Sequence, residues 1–230
     1  MKTVGIIGGL GPETTSEFYM ELIFSCKKIN KISYPSILVD SIPLPFSIEK
    51  DAIADGIGEK RCLPYLITAA KNLEKAGSDF LVLPCNSLHV FIKDIRQAVK
   101  IPVLSILEET SKFLKQQGIK KVAIIATPIT IKNQLYAKLL ESVGIITVIP
   151  DRLQQAKIGK LILNLVSNRY NNKDRDVLLK VIQDFEKKKV RNIILACTDL
   201  QMLVPAQEGF QIYDTMKILL DATVRKVTGI

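Results

Sequence analysis

The sequence has no long hydrophobic run. None of its apolar stretches reaches the roughly 18 residues that a membrane-spanning helix needs, so we expect no membrane partner. Its beginning leads directly into a strand and a glycine turn, where a secretory signal would place a core of about 7–15 apolar residues. These features predict a cytoplasmic protein in which the four cysteines stay reduced.

Metal ligands are also scarce. His89 is the single histidine and no Cys-x-x-Cys pair is present, whereas a structural zinc site commonly uses four closely spaced ligands. We therefore expect no metal. A nucleophilic pair of Cys85 with His89 is an alternative, but a helix over residues 88–99 would leave His89 to cap or pack its first turn.

The positive charge of the chain lacks an accompanying nucleic-acid signature. The formal net charge is +9, but the basic residues are scattered in short runs such as Lys120-Lys121. None lies beside the aromatic stacking pair that single-strand binders use. We interpret these residues as a solvated surface that binds no nucleic acid, although their field would speed the arrival of an anionic substrate.

The glycine-rich turn at residues 8–14 follows the first predicted strand and opens a helix, as a phosphate-binding loop does. However, it lacks the Gly-x-Gly-x-x-Gly spacing, and Pro12 removes an amide donor. Asp40, the acidic residue after the second strand, follows about thirty residues later rather than about twenty. A dinucleotide site is therefore disfavoured, but the amides at Gly9 and Leu10 remain candidates for holding a carboxylate.

Apolar runs alternate with amphipathic helical patterns along the chain, and no linker rich in Gly or Ser interrupts them. This alternation predicts βαβ units and parallel sheets. Strands are predicted at residues 3–8, 36–40, 79–84, 102–105, 121–126, 145–149, 192–196 and 211–213. Helices are predicted at residues 13–29, 60–76, 88–99, 107–117, 130–142, 153–168, 174–188 and 214–227.

The two halves of the sequence resemble each other. Residues 3–9 resemble residues 121–127, and each stretch is followed much later by an apolar run that ends in a cysteine. We therefore predict an α/β fold of two similar Rossmann-like lobes with parallel sheets and an active site in the cleft between them. The predicted domains are residues 1–104 plus 211–230, carrying Cys85, and residues 105–210, carrying Cys197.

Each of these cysteines ends a predicted buried strand and precedes small hydrogen-bonding residues, at 86–87 and at 198–199. Open parallel sheets bind ligands just past the carboxyl ends of their strands, so Cys85 and Cys197 are predicted to face one small molecule. A thiolate and a thiol on opposite sides of a carbon can move a proton across it, and the bound enantiomer decides which acts as base. An ordinary buried cysteine is the alternative, but equivalent places in a repeat argue against it.

These motifs resemble those of the aspartate/glutamate racemase family, in its aspartate racemase branch, over nearly the whole chain. The matching residues are Gly8-Gly9-Leu10-Gly11-Pro12, Pro84-Cys85-Asn86-Ser87-Leu88-His89, Cys197-Thr198-Asp199 and Tyr213-Asp214-Thr215. The resemblance implies a cofactor-independent amino-acid racemase, usually a homodimer, in which Cys85 takes the proton from the D-substrate and Cys197 from the L-substrate. Substrate-binding residues are predicted at Gly9, Leu10, Asn86, Ser87, Thr127, Thr198 and Asp199. Helix capping is the alternative role for Thr127.

The chain departs from the family after the second strand, where aspartate racemases tend to carry an Asp-Arg pair and this sequence has Leu44-Pro45. In the family, that arginine binds the side-chain carboxylate of the substrate. The resemblance favours aspartate as the substrate, but the absence of the arginine leaves glutamate or a broader range open. Lys157 and Arg61 are the candidate replacements for the arginine. A maleate isomerase-like enzyme and a non-catalytic amino-acid-binding protein are the alternative functions.

Overall fold

The computed structural model describes residues 1–52, 56–204 and 209–229. The strands are β1 Val4–Gly8, β2 Ile37–Ser41, β3 Phe80–Val82, β4 Val103–Leu104, β5 Lys121–Ala126, β6 Ile146–Val148, β7 Asn192–Ala196 and β8 Gln211–Asp214. The α-helices are α1 Pro12–Ile29, α2 Phe46–Lys50, α3 Leu63–Lys75, α4 Ile92–Ala98, α5 Ile106–Gln116, α6 Pro128–Lys132, α7 Ala137–Ser142, α8 Arg152–Val166, α9 Asn172–Lys187 and α10 Thr215–Thr228. Short 3₁₀ helices span Glu59–Cys62, Ser87–Phe91 and Thr198–Leu203. No helix in these described ranges is long and apolar enough to cross a membrane.

The strands form two four-stranded parallel sheets with the same internal order. The first sheet runs β2-β1-β3-β4 and the second runs β6-β5-β7-β8. Their registers correspond as well, because Ile6 of β1 lies beside Val82 of β3, and Ile124 of β5 lies beside Ile194 of β7. We call each sheet, with the helices that pack on it, a lobe. The predicted α/β fold of two similar parallel lobes is confirmed.

The last strand lies in the second lobe. It pairs with β7, with Tyr213 beside Ile194, whereas the sequence analysis grouped residues 211–230 with the first lobe. The pairing follows the repeat, because β8 flanks the strand before Cys197 as β4 flanks the strand before Cys85. Helix α10 then packs against α1 and α5, so the chain returns from the second sheet towards the first lobe.

Apolar side chains of the two lobes share a core. The central strands β1, β5 and β7 are almost entirely buried, as expected for strands of parallel sheets covered on both faces. One cluster joins Ile6 and Phe18 of the first lobe to Ile124 and Ile194 of the second and to Leu219 of α10. Burial of this shared cluster stabilises the packing of one lobe against the other.

The observed helices differ from the predicted ones at several places. The helix predicted at residues 88–99 is a 3₁₀ helix, Ser87–Phe91, followed by α4. Residues 130–142 contain parts of two helices, α6 and α7, because Gln134 adopts a φ of 52° that interrupts the α-helical backbone. Helix α2 was not predicted. Its five residues are too few to show a helical period in the sequence.

Gly9 permits a close approach between the turn after β1 and the chain leaving β2. Its φ is +80°, and a Cβ atom there would lie 2.6 Å from the Ile42 nitrogen and 2.7 Å from the Ile42 oxygen. Gly118 has a similar φ of +70°, but a Cβ atom there would meet no atom within 4 Å. Comparing the two positions separates the cost of the left-handed backbone from the cost of the collision.

We expect Gly9→Ala to lower the free energy of unfolding by more than about 2 kcal/mol, because a left-handed backbone costs an L-residue about 1–2 kcal/mol and the collision adds to that. Gly118→Ala, as the control, should show the backbone cost alone. Urea denaturation of both variants and the parent protein measures the difference. Equal losses in the two variants would contradict the close approach.

Candidate active site

Cys85 and Cys197 lie at the carboxyl ends of equivalent strands. Cys85 follows β3 after two intervening residues, Cys197 directly follows β7, and the two strands hold the same place in their sheets. Both cysteines line one cavity, which is partly open to solvent. The two thiols therefore face a common cleft to which both lobes contribute.

Most of the predicted substrate-binding residues also line this cavity. They are Leu10, Asn86, Ser87, Thr127, Thr198 and Asp199. Gly9 and Lys157 do not line it. The Gly9 amide donates to Thr15 Oγ1 of α1 at 3.0 Å. Lys157 is exposed on α8, outside the set of residues that this helix buries.

The surroundings of Cys85 disfavour its thiolate. Burial raises the pKa of the Cys85 thiol to about 12. A hydrogen bond from the Leu88 amide lowers this pKa, the charges of Asp199 and Cys62 raise it, and the Ser87 amide lowers it. Both amides belong to the 3₁₀ helix that follows the cysteine. At neutral pH Cys85 is therefore held mainly as the thiol, with donors in place for a thiolate.

Cys197 is hydrogen-bonded to a carboxylate. Its Sγ donates to Asp199 Oδ2 at 3.5 Å, and Thr14 Oγ1 of α1 donates to Asp199 Oδ1 at 3.1 Å. Burial raises the pKa of the Cys197 thiol well above its usual value, and the Asp199 charge raises it further. Burial also raises the pKa of Asp199, against the hydrogen bonds from Thr14 and Cys197. Asp199 is thus an acceptor in contact with the thiol proton.

His89 holds the backbone of the Cys85 loop in place through two hydrogen bonds. Its Nε2 accepts a hydrogen bond from the Ile106 amide at 3.1 Å, which leaves the proton on Nδ1, and Nδ1 donates to the Cys85 carbonyl oxygen at 2.7 Å. Burial lowers the pKa of His89 to about 4, so the ring is neutral at physiological pH. Both ring nitrogens bond to backbone groups, and His89 therefore does not act as a base towards the Cys85 sulfur.

A buried chain of hydrogen bonds links the two cysteine loops. Tyr136 Oη donates to Asn86 Oδ1, and Asn86 Nδ2 donates to Thr215 Oγ1 at 3.0 Å. Thr215 Oγ1 in turn donates to the carbonyl oxygen of Leu195, two residues before Cys197, at 3.0 Å. The Asn86 side chain is therefore engaged within the protein through both Oδ1 and Nδ2.

Three hydroxyl groups from both lobes meet beside the cavity, and two of them, those of Ser87 and Thr127, line it. Ser87 Oγ lies 2.7 Å from Thr127 Oγ1, which lies 3.1 Å from Thr130 Oγ1. Thr127 also caps α6, because its hydroxyl accepts a hydrogen bond from the Thr130 amide. Capping and contact with the cavity are therefore both observed for Thr127, where the sequence left them as alternatives.

Several cavity residues escaped the sequence analysis. Glu49 of α2 lines the cavity, as does Cys62 at the end of the first 3₁₀ helix. Burial raises the pKa of the Cys62 thiol to about 11. Arg61, a candidate replacement for the missing arginine, instead forms an ion pair with Asp51 at 2.6 Å and does not line the cavity. No local sequence signal separates Glu49 or Cys62 from ordinary helix positions.

Thr215→Val tests the hydrogen-bond chain at nearly constant side-chain volume. It leaves the buried Asn86 amide and the Leu195 carbonyl without their partner, and we expect the free energy of unfolding to fall by about 1–3 kcal/mol. Thr223→Val is the matched control, since its buried hydroxyl bonds only to the Leu219 carbonyl within α10. Chemical denaturation should show a smaller loss for Thr223→Val. A loss for Thr215→Val no larger than for the control would contradict the linking role.

Comparison with known proteins identifies the family of the chain. The family model described as Asp/Glu/Hydantoin racemase matches residues 7–223. The broad specificity amino-acid racemase RacX of Bacillus subtilis is 32% identical over 226 residues, which cover 96% of each chain. The structure of Picrophilus torridus aspartate racemase superposes with a TM-score of 0.81 at 26% identity, over 100% of this chain and 95% of that one. An aspartate racemase homologue from Pyrococcus horikoshii gives a TM-score of 0.79 at 27% identity, over 99% and 100%. The chain belongs to the Asp/Glu/hydantoin racemase family, as the cysteine motifs indicated.

Proposed function

We propose that the protein interconverts the enantiomers of an amino acid by moving the α-proton between Cys85 and Cys197. The observation that carries this proposal is that two cysteines at equivalent strand ends line one cavity. Membership of a racemase family supports the same reaction class. The resemblance assigns Cys85 to the D-substrate and Cys197 to the L-substrate, and we retain that assignment.

The reaction needs one thiolate and one thiol at a time. The thiolate takes the α-proton and becomes a thiol, and the electron pair of the broken C–H bond stays on the carbon. The other thiol then delivers its proton to the opposite face, so that the α-carbon regains a C–H bond and the second cysteine becomes the thiolate. No electron leaves the substrate and the proton count of the two cysteines is unchanged.

The residues around the thiols support this cycle in different ways. The Asp199 carboxylate accepts a hydrogen bond from the Cys197 thiol and raises its pKa, which keeps Cys197 protonated as the acid that delivers a proton to the carbanion. The Leu88 and Ser87 amides lower the pKa of Cys85 and so stabilise its thiolate. We propose that the hydroxyls of Ser87, Thr127 and Thr198, with nearby amides, bind the substrate carboxylate, where donors also stabilise the negative charge of the carbanion.

We also propose that the protein is a cytoplasmic homodimer that binds no nucleic acid. Exposed apolar side chains concentrate on α1, on β2 and on the segment between them, including Phe24, Ile32, Tyr34 and Val39. β2 is an edge strand of the first sheet. Contiguous exposed apolar surface is typical of interaction sites, and a second copy of the chain is the partner that the family resemblance implies. The four free cysteines suit a reducing compartment.

Proton NMR in deuterated water tests the reaction directly. We expect the folded protein to exchange the α-proton of an amino acid for deuterium while the D-enantiomer appears from the L-form. Cys85→Ser and Cys197→Ser should each slow turnover of both enantiomers by about 10²–10⁴-fold, the usual range for loss of a general acid or base. Thermal unfolding of both variants serves as the control for folding.

The alternatives give different results in the same assays. Ligand-induced thermal stabilisation without any exchange would identify an amino-acid-binding protein. Loss of absorbance by maleate, without exchange at any amino acid, would identify maleate isomerase-like chemistry. A wild-type rate in either cysteine variant would contradict the two-base mechanism while leaving the racemase reaction intact.

The raised pKa values predict a rate that increases with pH. Burial holds the pKa of the Cys85 thiol at about 12 and that of Cys197 well above its usual value. In the free enzyme the thiolate fraction therefore grows about tenfold for each pH unit below those values. We expect kcat/KM to rise between about pH 6.5 and 8.5, with unfolding measured at both ends as the control. A pH-independent kcat/KM would contradict desolvated thiols as the bases.

A further inference from the structure

The charged side chains of the active-site cavity are all acidic. Glu49 and Asp199 line it, and among the described residues no Lys or Arg does. The segments outside the described ranges that lie inside the chain, residues 53–55 and 205–208, contain neither residue type. The cavity therefore offers no cation to a substrate side chain that ends in a carboxylate, and its own carboxylates repel one.

The two carboxylates differ in what they contact. Asp199 accepts hydrogen bonds from Cys197 and Thr14, so both of its oxygens are engaged. Glu49 has no hydrogen-bond or ion-pair partner among the described contacts. Burial raises the pKa of Glu49, and the charges of Asp199 and Glu13 raise it further, which shows that the carboxylate lies in a negative field. A cation placed beside it would relieve that repulsion.

Glu49 stands at the outer end of the cavity. Together with Val166 it lines both the cavity and a second crevice between α2 and the end of α8. The cysteines line the cavity only, whereas Glu49 also borders the outer crevice. Lys50 and Arg169 line the outer crevice, beyond Glu49, and neither lines the cavity.

The wall beside Glu49 is apolar and comes from both lobes. Leu44 of the first lobe and Ile162 and Val166 of α8 line the cavity. Such a wall suits a chain of methylene groups, because packing on the wall removes their apolar surface from water. A half-buried carboxylate at the end of an apolar wall matches an ammonium group on a flexible methylene chain.

We propose that Glu49 binds the terminal ammonium group of the substrate side chain, so that the preferred substrates are amino acids such as lysine and ornithine. The proposal rests on the racemase function proposed above and specifies its substrate class. In the bound state the α-carbon lies between Cys85 and Cys197, the methylene chain packs on the apolar wall, and the ammonium group donates to Glu49. Aspartate, which the family resemblance favours, and glutamate, which it leaves open, place a carboxylate against Glu49 instead.

Lysine and norleucine make the sharpest substrate pair, because norleucine has the lysine side chain without its ammonium group. We expect α-proton exchange in deuterated water to show a kcat/KM about 10–100-fold higher for L-lysine than for L-norleucine, the range for one charge-assisted hydrogen bond. L-Glutamate should exchange more slowly than either. These ratios need only the unmodified protein and so do not depend on how a variant folds.

Glu49→Gln should reduce the lysine-to-norleucine ratio by about 10–100-fold, because the amide keeps the shape but loses the charge. Glu141→Gln on the exposed face of α7 is the matched control and should leave the ratio unchanged. Thermal unfolding confirms that both variants are folded.

Three results would overturn the assignment. These are norleucine exchanging as fast as lysine in the unmodified protein, glutamate exchanging fastest, and Glu49→Gln slowing lysine and norleucine equally, as loss of an α-ammonium contact would. In each case α-proton exchange still occurs, so the racemase function survives. Absence of exchange with every amino acid, by contrast, contradicts the proposed function itself and removes the basis for a substrate class.

Discussion

The buried hydrogen bonds from Asn86 to Thr215 and from Thr215 to the Leu195 carbonyl connect the two places where chemistry is expected. One end of this chain is covalently next to Cys85, and the other is two residues from Cys197. Because buried polar groups are costly to leave unpaired, any change in the spacing of the two loops must break a bond of this chain. The chain thus couples the packing of the lobes to the separation of the thiols, on which proton transfer across one carbon depends.

Burial makes the thiolates of Cys85 and Cys197 scarce but also more reactive. The apolar surroundings raise the pKa of both cysteines, so little thiolate exists in the free protein. The same desolvation makes a thiolate more basic towards a carbon-bound proton once it forms. The neighbours of the two cysteines act in opposite directions, because amides lower the pKa of Cys85 whereas Asp199 raises that of Cys197. Cys85 receives amide hydrogen bonds from the following turn, whereas Cys197 is bonded to Asp199, which α1 holds from the first lobe through Thr14.

Much of the fold could be predicted because parallel strands leave a strong local pattern. Every observed strand overlaps a predicted one, and the apolar runs of β1, β5 and β7 correspond to fully or almost fully buried strands. The strand at residues 211–214 was predicted as a strand but placed in the wrong lobe. Pairing partners depend on where remote segments pack, and the local pattern of a strand contains no information about its neighbour.

By itself the sequence determined the fold class, the internal repeat and the importance of the two cysteines. Each of these leaves a signal in a contiguous stretch of residues or in the similarity of two stretches. Only the tertiary structure decided which polar side chains face the cavity. Lys157 is exposed on α8, the Asn86 side chain is engaged by Thr215, and Glu49 enters the cavity from a helix too short to recognise. The physical reason is that a side chain's direction and partners are set by packing between segments far apart in the chain.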